Sequence, residues 1–270
     1  MTVNFQRVTM MRTARFWTLM LALAGFALPA MIAGGGRPAV AAGETFDAGQ
    51  KAQIESIIKD YLLKNPELLM QMDEALKAKQ EAENNQKFKV ALAQNKDAVY
   101  HNTALPFAGD EKGDVTAIEF FDYNCPHCRN TFEGVNKILQ TDKKVRFVFV
   151  DIPIIAPQLK GTTAVALASI NQGKYWEVHK AFMEAKGTIA EDRAYQIAGK
   201  LGLDMVKLKA DAESDEIKKL MDDNLSLANK LNVSGTPFFM VGDHTVSGEA
   251  SYDDFATMIA DTRKSGCKMC

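Results

Sequence analysis

VTAIEFFDYNCPHCR, residues 115–129, decides how this chain folds. Val115–Phe121 is a short apolar run of strand character. It leads into Cys125-Pro126-His127-Cys128 and then a helix-compatible segment over 126–140. Pro126 suits a first helical turn, where its missing N–H has no partner in any case. Two cysteines spaced C-x-x-C at a strand–helix junction form a redox pair. The unpaired N–H groups and positive end of the helix favour a thiolate at the first sulfur, and the thiolate is the reactive form. Cys125 is therefore read as the attacking sulfur. Cys128, one turn inside and more buried, is read as the resolving thiol that releases a mixed disulfide.

Working outward, Val145–Val150 (VRFVFV) is a second β-rich strand. Strand, helix and strand in so short a span make a βαβ unit with parallel strands and a right-handed crossover. A helical block follows: Ala164–Ile170, a segment carrying Tyr175, Trp176, His179, Phe182 and Met183, then Asp192–Leu201 and Ile217–Leu231. Pro237–Val241 returns to strand, Asp243-His244 reads as a hairpin turn, Thr245–Gly248 pairs back, and Asp253–Arg263 closes with a helix. The expectation is an α/β domain over 115–265, with a βαβ half, a ββα half and an all-helical insertion over about 158–220.

His127 has two readings. It stabilises the Cys125 thiolate as a cation or N–H donor, or it is an exposed residue at a helix start. Glu119 also has two. Strand alternation puts 119, 121, 123 and 125 on one face, so its carboxyl can relay the proton that the resolving thiol must lose; otherwise it is a strand-end acid reaching solvent. Thr236-Pro237 opens a strand. Proline cannot donate to a ladder, so it marks an edge or a special turn, and a cis peptide there would expose backbone to an incoming extended chain. Lowering a thiol pKa by two to four units stabilises the reduced form by roughly 3–5 kcal/mol and raises the potential by about 60–120 mV. Pro-His between the cysteines thus points to a donor or shuffler of disulfides.

The chain has 270 residues, 47% of them hydrophobic, and a formal net charge of −2. That charge gives no bulk argument for nucleic acid or an anionic membrane. Arg7, Arg12 and Arg15 precede the apolar stretch Phe16–Ile32, interrupted by Pro29, and Ala39-Val40-Ala41 is a small-x-small cleavage signal. Residues 1–42 are therefore expected to be a signal peptide cut near Ala41; a retained membrane anchor is the other reading. Export to the periplasm supplies a compartment where thiols can be oxidised.

Over 43–100, Ile54, Ile57, Ile58, Tyr61 and Leu62 recur at helical spacing. Asn65-Pro66-Glu67 restarts a helix with Asn65 as its cap, and Leu69, Met72 and Leu76 carry a second stripe. This is expected to be a self-associating helical stalk, or alternatively a stripe that folds back on the catalytic domain. Residues 101–114, with Pro and Gly, read as a linker.

EFFDYNCPHC, followed far downstream by GTPFFMVG, resembles the DsbA family of thioredoxin-fold oxidoreductases. QGKYWEVHKAFM (172–183) resembles the start of a helix in that family's inserted helical domain, and the block with YLLKNPELL is similar to the ScsC/Com1-like branch. The resemblance covers about 44–265. It implies a thioredoxin fold with an inserted helical domain and an N-terminal helical extension. It also implies that Cys125 is the nucleophile, Cys128 the resolving cysteine, Glu119 the buried acid and Pro237 the cis-proline of the substrate loop, beside Thr236. The implied activity is thiol–disulfide exchange without a cofactor, with oxidase and isomerase both open. The implied partners are unfolded or misoxidised exported proteins, a membrane thiol–disulfide redox partner and further copies of the chain; no nucleic acid is implied.

The tail Cys267-Lys-Met-Cys270, within 266–270, is not predicted by that pattern. It reads as a second exchanging dithiol, as a soft-metal site for Cu(I) built of thiolates and a thioether, or as an inert pair. A copper- or zinc-binding thiol protein using the C-x-x-C pairs is accordingly the alternative function. A four-cysteine zinc site joining the two pairs is disfavoured by their sequence separation. His179, on an aromatic helix face, reads as packed; His101 and His244 read as solvated.

Overall fold

The structure is a computed structural model that describes residues 46–270; the expected signal peptide and its cleavage site lie outside them. The chain divides into two units, one ending at Asn65 and one running from Pro66 to Cys270. In the first unit α1 (Ala48–Lys64) opens with a capping box. Asp47 accepts from the Gln50 N–H, and the Gln50 side chain accepts from the Asp47 N–H. This satisfies two donors that a helix start leaves open. Its stripe is bare, with Ile57 67% and Tyr61 58% exposed. Asn65 closes α1 rather than capping the next helix, because its side-chain amide donates to the Tyr61 carbonyl.

The second unit begins with α2 (Glu67–Tyr100), which contains a non-helical residue at Asn95. The Asn95 amide donates there to the Ala91 carbonyl, at a point five residues before the helix ends at Tyr100. The two readings of the apolar stripes divide along this helix. Leu69, Met70, Met72 and Leu76 stay exposed, whereas Phe88, Leu92, Val99 and Tyr100 enter the core.

Five strands form a mixed sheet in the order β1-β3-β2-β4-β5. They are β1 (Phe107–Gly109), β2 (Val115–Phe121), β3 (Val145–Asp151), β4 (Phe238–Val241) and β5 (His244–Ser247). β2 and β3 are parallel, as the βαβ reading requires, and β4 runs antiparallel to β2. β1 corrects the linker expectation. Residues 101–114 carry an edge strand paired with β3, and Leu105 beside it is buried. The β4–β5 turn is Gly242-Asp243, while His244 already belongs to β5.

Alternation sends the two faces of the sheet to different partners. Phe147 and Phe239 meet Phe255 of α9 (Tyr252–Ser265), and Phe149 stacks on Trp176 of α5 (Tyr175–Glu184). On the opposite face, Phe238 packs between Phe120 and Phe88 of α2. The helical insertion comprises α4 (Gly161–Ala168), α5, α6 (Glu191–Lys200), α7 (Met205–Ala212) and α8 (Asp215–Lys230). It therefore extends past residue 220, and α7 was not expected. Eight residues with only Leu208 and Ala212 buried leave almost no periodic signal, so the Asp204 cap is its clearest mark.

Candidate active site

α3 (Pro126–Thr141) starts immediately after Cys125, which is its extended N-cap residue. Cys125 is 1% exposed and Cys128 is fully buried; both are free thiols. The Cys125 Sγ donates to the Thr236 carbonyl at 3.3 Å, and the Thr236–Pro237 peptide is cis. The structure thus brings Cys125, Cys128, Thr236 and Pro237 together, although the last two lie over a hundred residues downstream.

The Cys125 thiol is lowered from 9.0 to about 5. The largest cause is a hydrogen bond from the Cys128 thiol. Burial opposes it, and the Thr236 hydroxyl and the backbone N–H groups of Cys128 and His127 add to it. The Thr236 hydroxyl oxygen is buried and has no other partner, so it is free to donate to a thiolate. Cys128 moves the other way. Burial pushes its thiol far up, helped by its hydrogen bond to Cys125 and by the Glu119 charge. One sulfur is thus prepared as a thiolate and the other as a thiol.

Glu119 lies in the middle of β2, 1% exposed, on the face that also carries Phe149 and Phe239. The solvent-reaching reading fails. Burial raises its carboxyl well above 4.5, and the nearby Cys125 raises it further. A buried acid whose proton is held more tightly than usual can give that proton as well as take one back.

His127 has its side chain exposed at the helix start, and its imidazole meets an acid and not the Cys125 sulfur. Its side chain is 66% exposed, and its Nδ1 lies 2.6 Å from Glu249 Oε1. What it gives Cys125 directly is a backbone N–H. Glu249 was not found from sequence, because 122 positions separate it from His127 and only the tertiary fold joins them. Asp151, at the end of β3, was missed for the same reason. It is fully buried with neither carboxylate oxygen partnered, and burial raises it well above 3.8. His179 is packed as expected. Its Nδ1 is 3.0 Å from the Tyr123 hydroxyl, and burial lowers it to about 3, so it is neutral.

Beside the Thr236 loop runs a groove of about 850 Å³ between α2 and the segment 229–235. Asn84, Asn85, Asn229, Asn232 and Ser234 line it, with Phe88 and Phe238 as its floor. Amide side chains carry both a donor and an acceptor and so match a peptide backbone.

The tail pair lies elsewhere. Cys267 and Cys270 form a disulfide, and Asp243 Oδ1 accepts from the N–H groups of Lys268 and Met269. Asp243 and Thr236 flank opposite ends of β4, about 20 Å apart at the rise of a strand. The two cysteine pairs therefore do not meet, which rules out a joint four-cysteine site in this fold.

Residues 101–261 match a family model described as thioredoxin, and residues 50–83 match one described as the N-terminal domain of the copper resistance protein ScsC. A thioredoxin-like oxidoreductase of Silicibacter pomeroyi is 35% identical; the match covers 64% of this chain and 99% of that one, with a TM-score of 0.61. ScsC of Proteus mirabilis in a transitional conformation is 26% identical over 80% of this chain and 98% of its own, with a TM-score of 0.58. Disulfide bond formation protein D of Bacillus subtilis is 27% identical over 62% of this chain and 82% of its length. The chain spans only 24% and 21% of two Na(+)/H(+) antiporters from Salinispora arenicola and Salinispora tropica that it also matches.

Proposed function

We propose that this chain, which belongs to the thioredoxin family in its DsbA-like branch with an ScsC-type N-terminal domain, is an exported thiol–disulfide oxidoreductase acting on other proteins in the periplasm. The observation that carries the proposal is the asymmetry of the pair. Cys125 is held as a thiolate at about 5, while Cys128 beside it is held as a thiol. Stabilising the thiolate stabilises the reduced pair, so the oxidised pair gives up its disulfide readily.

In the forward direction a client thiolate attacks the Cys125 sulfur. The Cys125–Cys128 bond breaks, and Cys128 departs with the electron pair. Its high proton affinity makes it a poor free thiolate, and Glu119 supplies the proton. A second client thiolate then attacks the client sulfur of the mixed disulfide, and Cys125 leaves as the stabilised thiolate. The client has lost two electrons and the enzyme has gained them; a membrane thiol–disulfide partner takes them back. In rearrangement, reduced Cys125 attacks a client disulfide and is expelled by another client thiol, with no net transfer. The asparagine-lined groove accepts the extended client backbone. The bare stripes of α1 and of α2 before Phe88 associate with further copies and hold several dithiols together.

Replacing Cys128 by Ser removes the thiol that resolves mixed disulfides. Periplasmic extracts of cells carrying C128S should contain client adducts on Cys125 that thiol reductant releases. Their absence under oxidising conditions would overturn the proposal. Deleting 44–80 should abolish reactivation of scrambled substrates and leave dithiol oxidation intact; equal retention of both would remove the stalk from the function.

A further inference from the structure

The strongest unassigned contact at this site joins His127 to Glu249. The His127 Nδ1–Glu249 Oε1 distance is 2.6 Å, and the Asn130 amide donates to the same carboxylate oxygen at 2.9 Å. Glu249 is held on both sides. The neighbouring Gly248 N–H donates to the Pro237 carbonyl at 2.9 Å, and the Ala250 N–H donates to the Thr131 hydroxyl at 3.4 Å. The close packing of α3 keeps this loop in place, since a Cβ on Gly134 would come within 3.0 Å of the Tyr252 nitrogen. The carboxylate is thus fixed by the proline loop on one side and by the dithiol helix on the other.

We propose that Glu249 is a positioning residue for the dithiol: it engages the His127 imidazole as an ion pair of zero net charge, so that Pro-His between these cysteines makes a weaker disulfide donor than an unpaired histidine would make. An unpaired imidazolium one residue from Cys125 stabilises the thiolate by Coulomb attraction. A carboxylate on that imidazolium cancels most of its field at the sulfur. The other charged groups near the thiol do not take this role. Glu119 is buried beneath the pair, where burial favours its protonated form, and Arg129 directs its guanidinium at the carbonyls of Tyr123, Ala185 and Gly187. Asp122 accepts from the N–H groups of Asn124 and Ile155. The inference rests on the thiol–disulfide reading, and it turns the open question of donor against shuffler into the state of one side chain.

The test is E249Q, which keeps the shape and removes the charge. The reduced protein is titrated by thiolate absorbance from pH 3 to 8, and its dithiol is equilibrated with a glutathione redox buffer at pH 6. At that pH His127, raised above 6.5 by its bond to Glu249 in the parent chain, is mainly cationic with or without its partner. E249Q should hold the thiolate to lower pH and shift the equilibrium toward the reduced protein by about threefold to tenfold, roughly 15–30 mV for two electrons. E249D should restore much of the parent value. In an H127S background the same E249Q change should shift the equilibrium by under about 1.5-fold, because the ion pair is already gone. An unchanged potential in E249Q, or an equal shift with and without His127, would overturn the inference. The measurement involves no client protein, so it can fail while client exchange stands, and it can succeed if C128S traps nothing.

Discussion

The Cys125 sulfur lies 3.3 Å from the Thr236 carbonyl and beside a Thr236 hydroxyl that has no other partner. One residue of the proline loop thus offers an acceptor to the thiol and a donor to the thiolate. Thiolate absorbance of the reduced protein should be nearly pH-independent above about pH 6 and fall tenfold per unit below about 5, following the thiolate fraction. T236V should move that midpoint upward by about one unit, the loss of a charge-assisted hydrogen bond. Because the folded value lies below the unfolded one, the reduced protein has the full stabilisation above about 9 and loses it as pH falls through about 5.

Glu119 works in the opposite sense. Its folded carboxyl titrates above its unfolded value of 4.5, so the folded state binds the extra proton and stability falls as pH rises past 4.5. In the oxidised protein, where the thiols do not titrate, this slope approaches about 1.4 kcal/mol per pH unit. Urea unfolding of oxidised E119Q across pH 5–8 should show a shallower slope than the parent, the contribution of buried Asp151 remaining, and greater stability at pH 8. The same variant should resolve mixed disulfides more slowly, because an amide cannot exchange the proton of Cys128.

Phe88 joins the second half of α2 to the sheet through Phe238. F88A should cost about 3 kcal/mol in denaturant unfolding of the full chain and speed proteolysis within 88–100. L76A, on the exposed part of the same helix, should leave monomer unfolding within about 0.5 kcal/mol of the parent and lower the solution mass instead.

The tail disulfide is a clasp on the β4–β5 turn, removed from the Cys125–Cys128 pair by the length of β4. C267S/C270S should leave the glutathione equilibrium of Cys125–Cys128 unchanged and increase backbone exchange at 266–270. A change in the rate of active-site exchange would show that the tail communicates with that site.

The dithiol, Glu119 and Pro237 were legible because each breaks a local pattern: cysteines at a strand–helix joint, a charge inside an apolar strand, a proline at a strand start. The parallel pairing of β2 with β3 followed from the length of the connection. What was hidden is what only partners define. β1 is three residues long and exists by pairing with β3, so Pro106 and Gly109 read as loop. Glu249 is an ordinary surface acid until the fold sets it against His127. Asp151 ends an apolar strand as any solvated acid would, yet it is buried without a partner. Asn65 and Pro66 carried a helix-start signature that the preceding helix used as a stop.

The near-complete occlusion of Cys125 bears on its survival. A thiolate at about 5 stands on the first rung of the oxidation ladder, open to peroxide and to irreversible loss as sulfinic acid. At 1% exposure it presents almost no surface to a small oxidant. Should a sulfenic acid form, the Cys128 thiol beside it condenses with it, expels water and returns the pair to its disulfide. Burial and pairing together turn oxidative damage into one more route to the working state.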